Sequence, residues 1–139
     1  MSSGVTVHDD CIEQYNTTLK LGKKIKYMIF CLNQDNTEII VEKVSESKDY
    51  EEFLADLPKT ECRWAVYDLE FEKPGGGIRQ KIVFYSWAPD DAKIKAKMVF
   101  ASSKDALRRS LVGISVEIQG TDYDEVAYEA VLDKANKGA

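Results

Sequence analysis

Residues 89–111 read PDDAKIKAKMVFASSKDALRRSL, and the way this stretch divides its side chains decides the fold. At about 100° per residue, Ala92, Ala96, Val99, Phe100, Ser103, Ala106, Leu107 and Ser110 gather on one side of a helix, a small and apolar stripe suited to lie on a sheet. Ile94, Met98 and Ala101 gather on the opposite side, fringed by Lys95, Lys97, Lys104, Arg108 and Arg109 around Asp105. A helix packed only on its own domain has no use for that second seam. It is either a surface shaped for a partner or a set of isolated surface apolars, which soluble proteins commonly carry. Pro89 suits the first turn of this helix, and Asp90 with Asp91 suit its positive end. Ser102 and Ser103 mark a candidate bend, because their hydroxyls can bond back to the preceding turn.

Outward from the helix, 79–87 with IVFY at its centre and 112–118 both read as strands, and a strand, helix, strand crossover favours a parallel pair. Residues 25–32, IKYMIFCL, form a nearly continuous apolar strand that turns through Asn33, Gln34, Asp35 and Asn36 into a second strand at 38–44. In 63–72 the first half, WAV, is apolar on both faces, whereas Tyr67, Leu69 and Phe71 then alternate with Asp68, Glu70 and Glu72, predicting a central end and a solvated end. Pro74, Gly75, Gly76 and Gly77 turn this strand into 79–87. Three more helices are expected. The first is capped by Thr6, with Asp9 in capping-box position, and runs to about Leu19 with Gly22 as its stop; the second spans 47–57. The last is capped by Thr121 or Asp122, turns Val126, Ala130 and Val131 inward and ends at Lys137 and Gly138. The expectation is one α/β domain over residues 1–139, a central mixed five-stranded sheet with helices on both faces, preceded by a mobile segment at residues 1–5.

The 139 residues carry 44% hydrophobic and 31% charged side chains, ordinary for a soluble globule, and a formal net charge of -5 that argues against a nucleic-acid partner. No secretory leader follows Met1, and the longest apolar run, 27–32, is too short to span a bilayer, so a soluble intracellular protein without membrane insertion is expected. Cys11, Cys31 and Cys62 are odd in number and widely spaced, which reads as reduced thiols rather than a disulfide framework or metal pair.

Chemistry has little to work with. The one histidine, His8, lies near the terminus, so no histidine triad or zinc site can be assembled inside a cleft, and the expected reading is a solvated first-turn residue. The triple glycine at 75–77 lacks the Lys-Ser or Lys-Thr of a phosphate loop and sits between strands. Asp68, Glu70 and Glu72 could gather cations, but a solvated strand face accounts for them. No catalytic residue, metal or cofactor is expected. What remains are basic clusters on the long helix, at Arg79 and Lys81, and at Lys134 and Lys137, which in an acidic protein suggest steered contacts with an acidic partner or anionic lipid heads.

The stretch KAKMVFASSKDALRRSL, preceded by IVFYSWAPD and followed by IQGTDYDEVAYEAVL, closely resembles the actin-depolymerising factor/cofilin family in its fungal form, as do LGKKIKYMIF, AVYDLEFE and the start MSSGV. The resemblance covers essentially the whole chain. It implies an ADF-homology domain that is a non-enzymatic, probably-free of cofactors, monomeric binder of actin monomers and filaments, preferring ADP-actin, severing and depolymerising filaments in the cytoplasm and cytoskeleton, with nuclear entry open. By match to the family's motifs, Ser3, Gly4, Val5, Lys95, Lys97, Met98, Lys104, Asp105, Arg108 and Arg109 would meet monomers and filaments, and Arg79, Lys81, Asp133, Lys134 and Lys137 filaments alone. Lys134 and Lys137 stand where many relatives have Arg, keeping the charge without the planar fork. Ser3 resembles the family's regulatory phosphorylation site, and phosphoinositides would compete with actin for the cations. A sibling module of glia-maturation-factor type, acting on branch junctions through the actin-related complex, is the alternative; Met98 and the intact Arg79 and Lys81 strand favour the direct actin binder.

Overall fold

A computed structural model of the chain describes residues 4–73 and 75–137. Ser3, Pro74 and Gly138, each used in the sequence reading, lie outside the described residues. The elements are β1 (Thr6–Val7), α1 (Asp9–Gln14) continuing as a π-helical segment (Tyr15–Leu21), β2 (Tyr27–Leu32), β3 (Glu38–Ser45), α2 (Tyr50–Ala55), β4 (Arg63–Glu72), β5 (Ile78–Trp87), α3 (Ile94–Ser110), β6 (Ile114–Gly120) and α4 (Tyr128–Lys137). They build one mixed sheet in the order β1-β3-β2-β4-β5-β6. Both expected hairpins, β2 with β3 and β4 with β5, are antiparallel, and the crossover through α3 leaves β5 and β6 parallel, as anticipated.

The sheet has six strands rather than five. Thr6 does not cap a helix: Thr6 and Val7 pair in parallel with Glu38 and Ile39, held by Thr6 N–H to the Thr37 carbonyl (3.1 Å) and His8 N–H to the Ile39 carbonyl (2.9 Å). The cap falls instead to His8, whose Nδ1 accepts from the Asp10 N–H at 3.0 Å. Val5, expected in a mobile segment, is only 7% exposed and packs in the core.

After Gln14 the ladder loosens by one residue. The Thr17 hydroxyl donates to the Glu13 carbonyl at 2.7 Å and the Thr18 hydroxyl to that of Gln14, occupying acceptors of the turn before. The segment closes with the Gly22 N–H on the Thr17 carbonyl (2.9 Å), where any Cβ at Gly22 would overlap that oxygen.

Strand alternation sorts the interior into two layers. Met28, Phe30, Trp64, Val66 and Phe84 face α1, the π-helical segment and α3, meeting Cys11, Tyr15, Leu19, Phe100, Leu107 and Leu111. Tyr27, Ile29, Ala65, Tyr67, Leu69, Val83, Tyr85 and Trp87 face the other way, onto Tyr50, Phe53 and Leu57 around α2 and Val131 and Ala135 of α4. The first layer is fixed by Phe100 of α3 stacked on Trp64 of β4, ring centroids 4.2 Å apart. The second is rich in tyrosine: Tyr50 Oη donates to the Val126 carbonyl at 2.6 Å and lies 3.0 Å from Tyr85 Oη.

Three further expectations change. The long helix starts at Ile94 instead of near Pro89, because residues 89–92 close a turn (Ala92 N–H to the Pro89 carbonyl, 2.9 Å), bury Ala92 and tie the Asp90 N–H to the Thr121 carbonyl at 3.2 Å. Asp90 and Asp91 thus lie before its first turn, which has no acidic residue and no side-chain cap. The last helix starts at Tyr128, since Glu125 Oε1 accepts from both the N–H and hydroxyl of Thr121 (2.7 Å each), making the capping residues close a turn rather than open a helix. Asp68 is not solvated but 5% exposed, held by Gln80 Nε2 at 2.6 and 2.7 Å from its two oxygens. Ala96 and Ala130, both expected inside, are exposed. At Ser102 and Ser103 the hydroxyls do bond back, both to the Val99 carbonyl (3.0 and 2.7 Å), while the helix continues through them.

Two predictions follow from this packing. Phe100→Ala removes the ring that covers Trp64 and should cost about 3–5 kcal/mol, read as a lower urea midpoint. Burial pushes the phenols of Tyr15, Tyr27 and Tyr67 up to about 12, with the Asp56 carboxylate adding at Tyr27, and raises Tyr50 and Tyr85 as well. A phenol that keeps its proton in the fold but loses it near pH 10 in the unfolded chain contributes its full stability below pH 10 and loses it as pH rises. Stability should therefore fall from about pH 10 upward, with the tyrosinate absorbance appearing together with loss of helical ellipticity; tyrosine ionisation well before unfolding would contradict it.

Candidate functional site

Once Phe100, Ser103 and Leu107 are committed to the sheet, the rotation of α3 fixes what its other side presents. Ile94 is 78% and Met98 66% exposed, and Ala101 is exposed beside them, so the second seam lies open as the sequence suggested. Lys95 is exposed next to it; Lys97 donates from Nζ to the Asp90 carbonyl at 3.0 Å, tying the helix to the turn before it. Arg109 Nε donates to the Asp105 carbonyl at 3.2 Å, and Asp105 is exposed. Gly4 and Val5 come to the same side of the molecule, because Val5 shares the buried cluster of Phe100, Leu107 and Leu111. The structure thus gathers Gly4, Val5, Lys95, Lys97, Met98, Lys104, Asp105, Arg108 and Arg109 around one helix, with Ser3 outside the described residues.

One residue of this surface was missed by the sequence reading. Glu117 of β6 lies with Oε1 3.5 Å from Lys104 Nζ and Oε2 3.1 Å from Arg108 Nε. The Arg108 Nε is buried and close to the carboxylate, yet it makes no aligned hydrogen bond, so the contact is one of charge. Alternation in β6, with Val116 and Ile118 buried, was the available signal that Glu117 turns toward α3.

The second basic group sits on the other face of the sheet. Arg79 is exposed at the start of β5, and Lys81, two residues on, donates from Nζ to the Ala135 carbonyl at 2.8 Å. That bond satisfies an orphan carbonyl in the last turn of α4 and joins strand to helix end. Lys137 pairs with Asp133 at 3.0 Å across one turn, and Lys134 is exposed. Arg79, Lys81, Asp133, Lys134 and Lys137 therefore lie on neighbouring elements, apart from the α3 group.

Elsewhere the chemistry is quiet. Burial, with Asp10 and Glu38 nearby, pushes the Cys11 thiol up to about 12, and burial raises Cys31 and Cys62 too, the reverse of an activated nucleophile. Among the described residues no group of three His, Cys, Asp or Glu could hold a metal ion, and no helix is long and apolar enough to cross a membrane. A cleft of about 410 Å³ between α3 and β6, with Lys97 and Lys104 on its walls, adjoins the exposed seam.

Comparison with known proteins agrees with this arrangement. Residues 4–136 match the family described as cofilin/tropomyosin-type actin-binding protein. The chain is 63% identical over 137 residues to a cofilin of Mycosarcoma maydis, covering 99% of this chain and 98% of that one. Among solved structures it is similar to a cofilin of Streptomyces griseoflavus, at 65% identity and a TM-score of 0.92 over 98% of this chain and 100% of that one. It is also similar to actin depolymerization factor 2 of Plasmodium berghei, at 31% identity and a TM-score of 0.84 over 96% and 99%.

Proposed function

The chain belongs to the cofilin/actin-depolymerising factor family, and from that membership we propose that it binds actin monomers and filaments, prefers ADP-bound subunits, severs and depolymerises filaments and so speeds actin turnover. The observation that carries this reading is the exposed seam of Ile94 and Met98, ringed by cations, on a helix whose opposite side is locked into the core. Met98, flexible and polarizable, enters an apolar cleft on actin, while Lys95 and Lys97 meet acidic groups at its rim. Lys104, Asp105, Arg108 and Arg109 extend the contact along the helix, and Ser3, Gly4 and Val5 complete it. Arg79, Lys81, Asp133, Lys134 and Lys137 form the second, filament-only contact. No bond is made or broken: the protein changes filaments by binding a twisted subunit arrangement more tightly than the ordinary one.

Regulation follows from charge. A phosphate on Ser3 adds nearly two negative charges beside the α3 surface and repels an acidic partner. Phosphoinositide headgroups compete with actin for the same cations. The protein acts as a monomer in the cytoplasm and on the actin cytoskeleton, with access to the nucleus.

Filaments of ADP-actin imaged with the protein should break along their length, and the protein should pellet with them; pelleting of neither kind would remove the reading. Met98→Ala should weaken monomer binding about tenfold or more while leaving the urea midpoint within about 0.5 kcal/mol of wild type, since Met98 is exposed. Unchanged affinity in a fluorescence titration would remove the seam from the contact. Because Lys81 also tethers α4, the second surface is better tested with Arg79→Ala combined with Lys134→Ala. Filament co-sedimentation should fall with monomer affinity retained, and equal loss on both would mean a single surface.

A further inference from the structure

The inference concerns how the cations of α3 are held, and it rests on the actin-binding reading above. Glu117 projects from β6 toward α3 and reaches two cations one helical turn apart, Lys104 at 3.5 Å and Arg108 at 3.1 Å. We propose that Glu117 is a positioning residue for actin binding, holding Lys104 and Arg108 together in the outward arrangement that an acidic partner surface meets.

The fold itself gains little from this contact. All three side chains are partly open to solvent, at 24%, 32% and 43% exposure for Lys104, Arg108 and Glu117, and such ion pairs contribute little to stability. Binding is different, because Lys and Arg each carry long, flexible side chains whose ordering must be supplied when the partner arrives. One carboxylate between two cations orders both in advance. Engaging Arg108 at Nε also leaves its terminal nitrogens, with their remaining donors, for a partner carboxylate.

Glu117 carries a negative charge of its own, which an acidic partner would repel. The two cations it touches outnumber it, leaving the cluster net positive, and at physiological salt a charge is screened beyond about 8 Å. Ordering therefore dominates near physiological ionic strength, and the repulsion shows only as salt is lowered. The neighbouring ionisable groups on these elements are Lys97, Asp105 and Arg109 of α3, none of which is in a printed ion pair with Glu117.

The test is a double-mutant cycle on actin-monomer affinity at physiological salt, with wild type, Glu117→Gln, Arg108→Ala and the double variant. Glu117→Gln should bind about three- to tenfold more weakly with an unchanged thermal midpoint, and its penalty should shrink by at least half when residue 108 is already Ala. In the free protein, ¹⁵N relaxation of the Arg108 Nε–Hε group should report a more ordered side chain in wild type than in Glu117→Gln, a readout that a role in folding alone would not move. Equal or tighter binding by Glu117→Gln, an undiminished penalty in the Arg108→Ala background, or equal Arg108 order in both proteins overturns the proposal. If Arg108→Ala alone binds normally, it is the actin-binding reading of this face that fails, and the positioning role falls with it.

Discussion

The contact on which the arrangement depends is Phe100 of α3 stacked on Trp64 in the middle of the sheet. Two large rings with centroids 4.2 Å apart fix the helix in rotation as well as in distance. With Phe100 pinned, Ser103 and Leu107 follow it inward, and Ile94 and Met98 must point out. The exposed seam is thus the geometric consequence of a buried one. A helix that could roll by a quarter turn would hide Met98 and offer no surface.

The sheet carries the same logic to its far side. Period-two alternation gives β2, β4 and β5 one set of side chains for α3 and another for α2 and α4, so each face of the molecule can hold its own basic cluster. Lys81 shows how closely structure and surface are joined there. Its Nζ closes the last turn of α4 on the Ala135 carbonyl, placing Lys134 and Lys137 beside Arg79. A protein that grips two subunits of a filament needs two surfaces at a fixed separation, and a rigid sheet between them supplies it.

Much of this was legible in the sequence where a pattern was long. The alternation of 63–72 marked β4 from its first residue to its last, and the stripe from Val99 to Leu107 identified the buried side of α3. Short or tertiary features were not legible. β1 is two residues long and has no period to detect; only its pairing with Glu38 and Ile39 makes it a strand. The π-helical turn comes from where two threonine hydroxyls bond, and the delayed starts of α3 and α4 from contacts such as Asp90 with Thr121, which propensity cannot foresee. Asp68 looked solvated by alternation until Gln80 across the hairpin covered it. The candidate site divides similarly: its cations could be named from their motif, whereas the carboxylate of Glu117 that gathers two of them depends on how β6 lies under the helix.

The central claim is that α3 serves the fold with one side and actin with the other. Methyl NMR of the protein titrated with ADP-actin monomers tests it directly, with Ile94 and Met98 reporting the outer side and Leu57 and Val131 the opposite face of the sheet. The account predicts that the Ile94 and Met98 methyl signals shift or broaden first, while those of Leu57 and Val131 hold their positions. A footprint centred on α2 and α4, with Ile94 and Met98 unmoved, would contradict it.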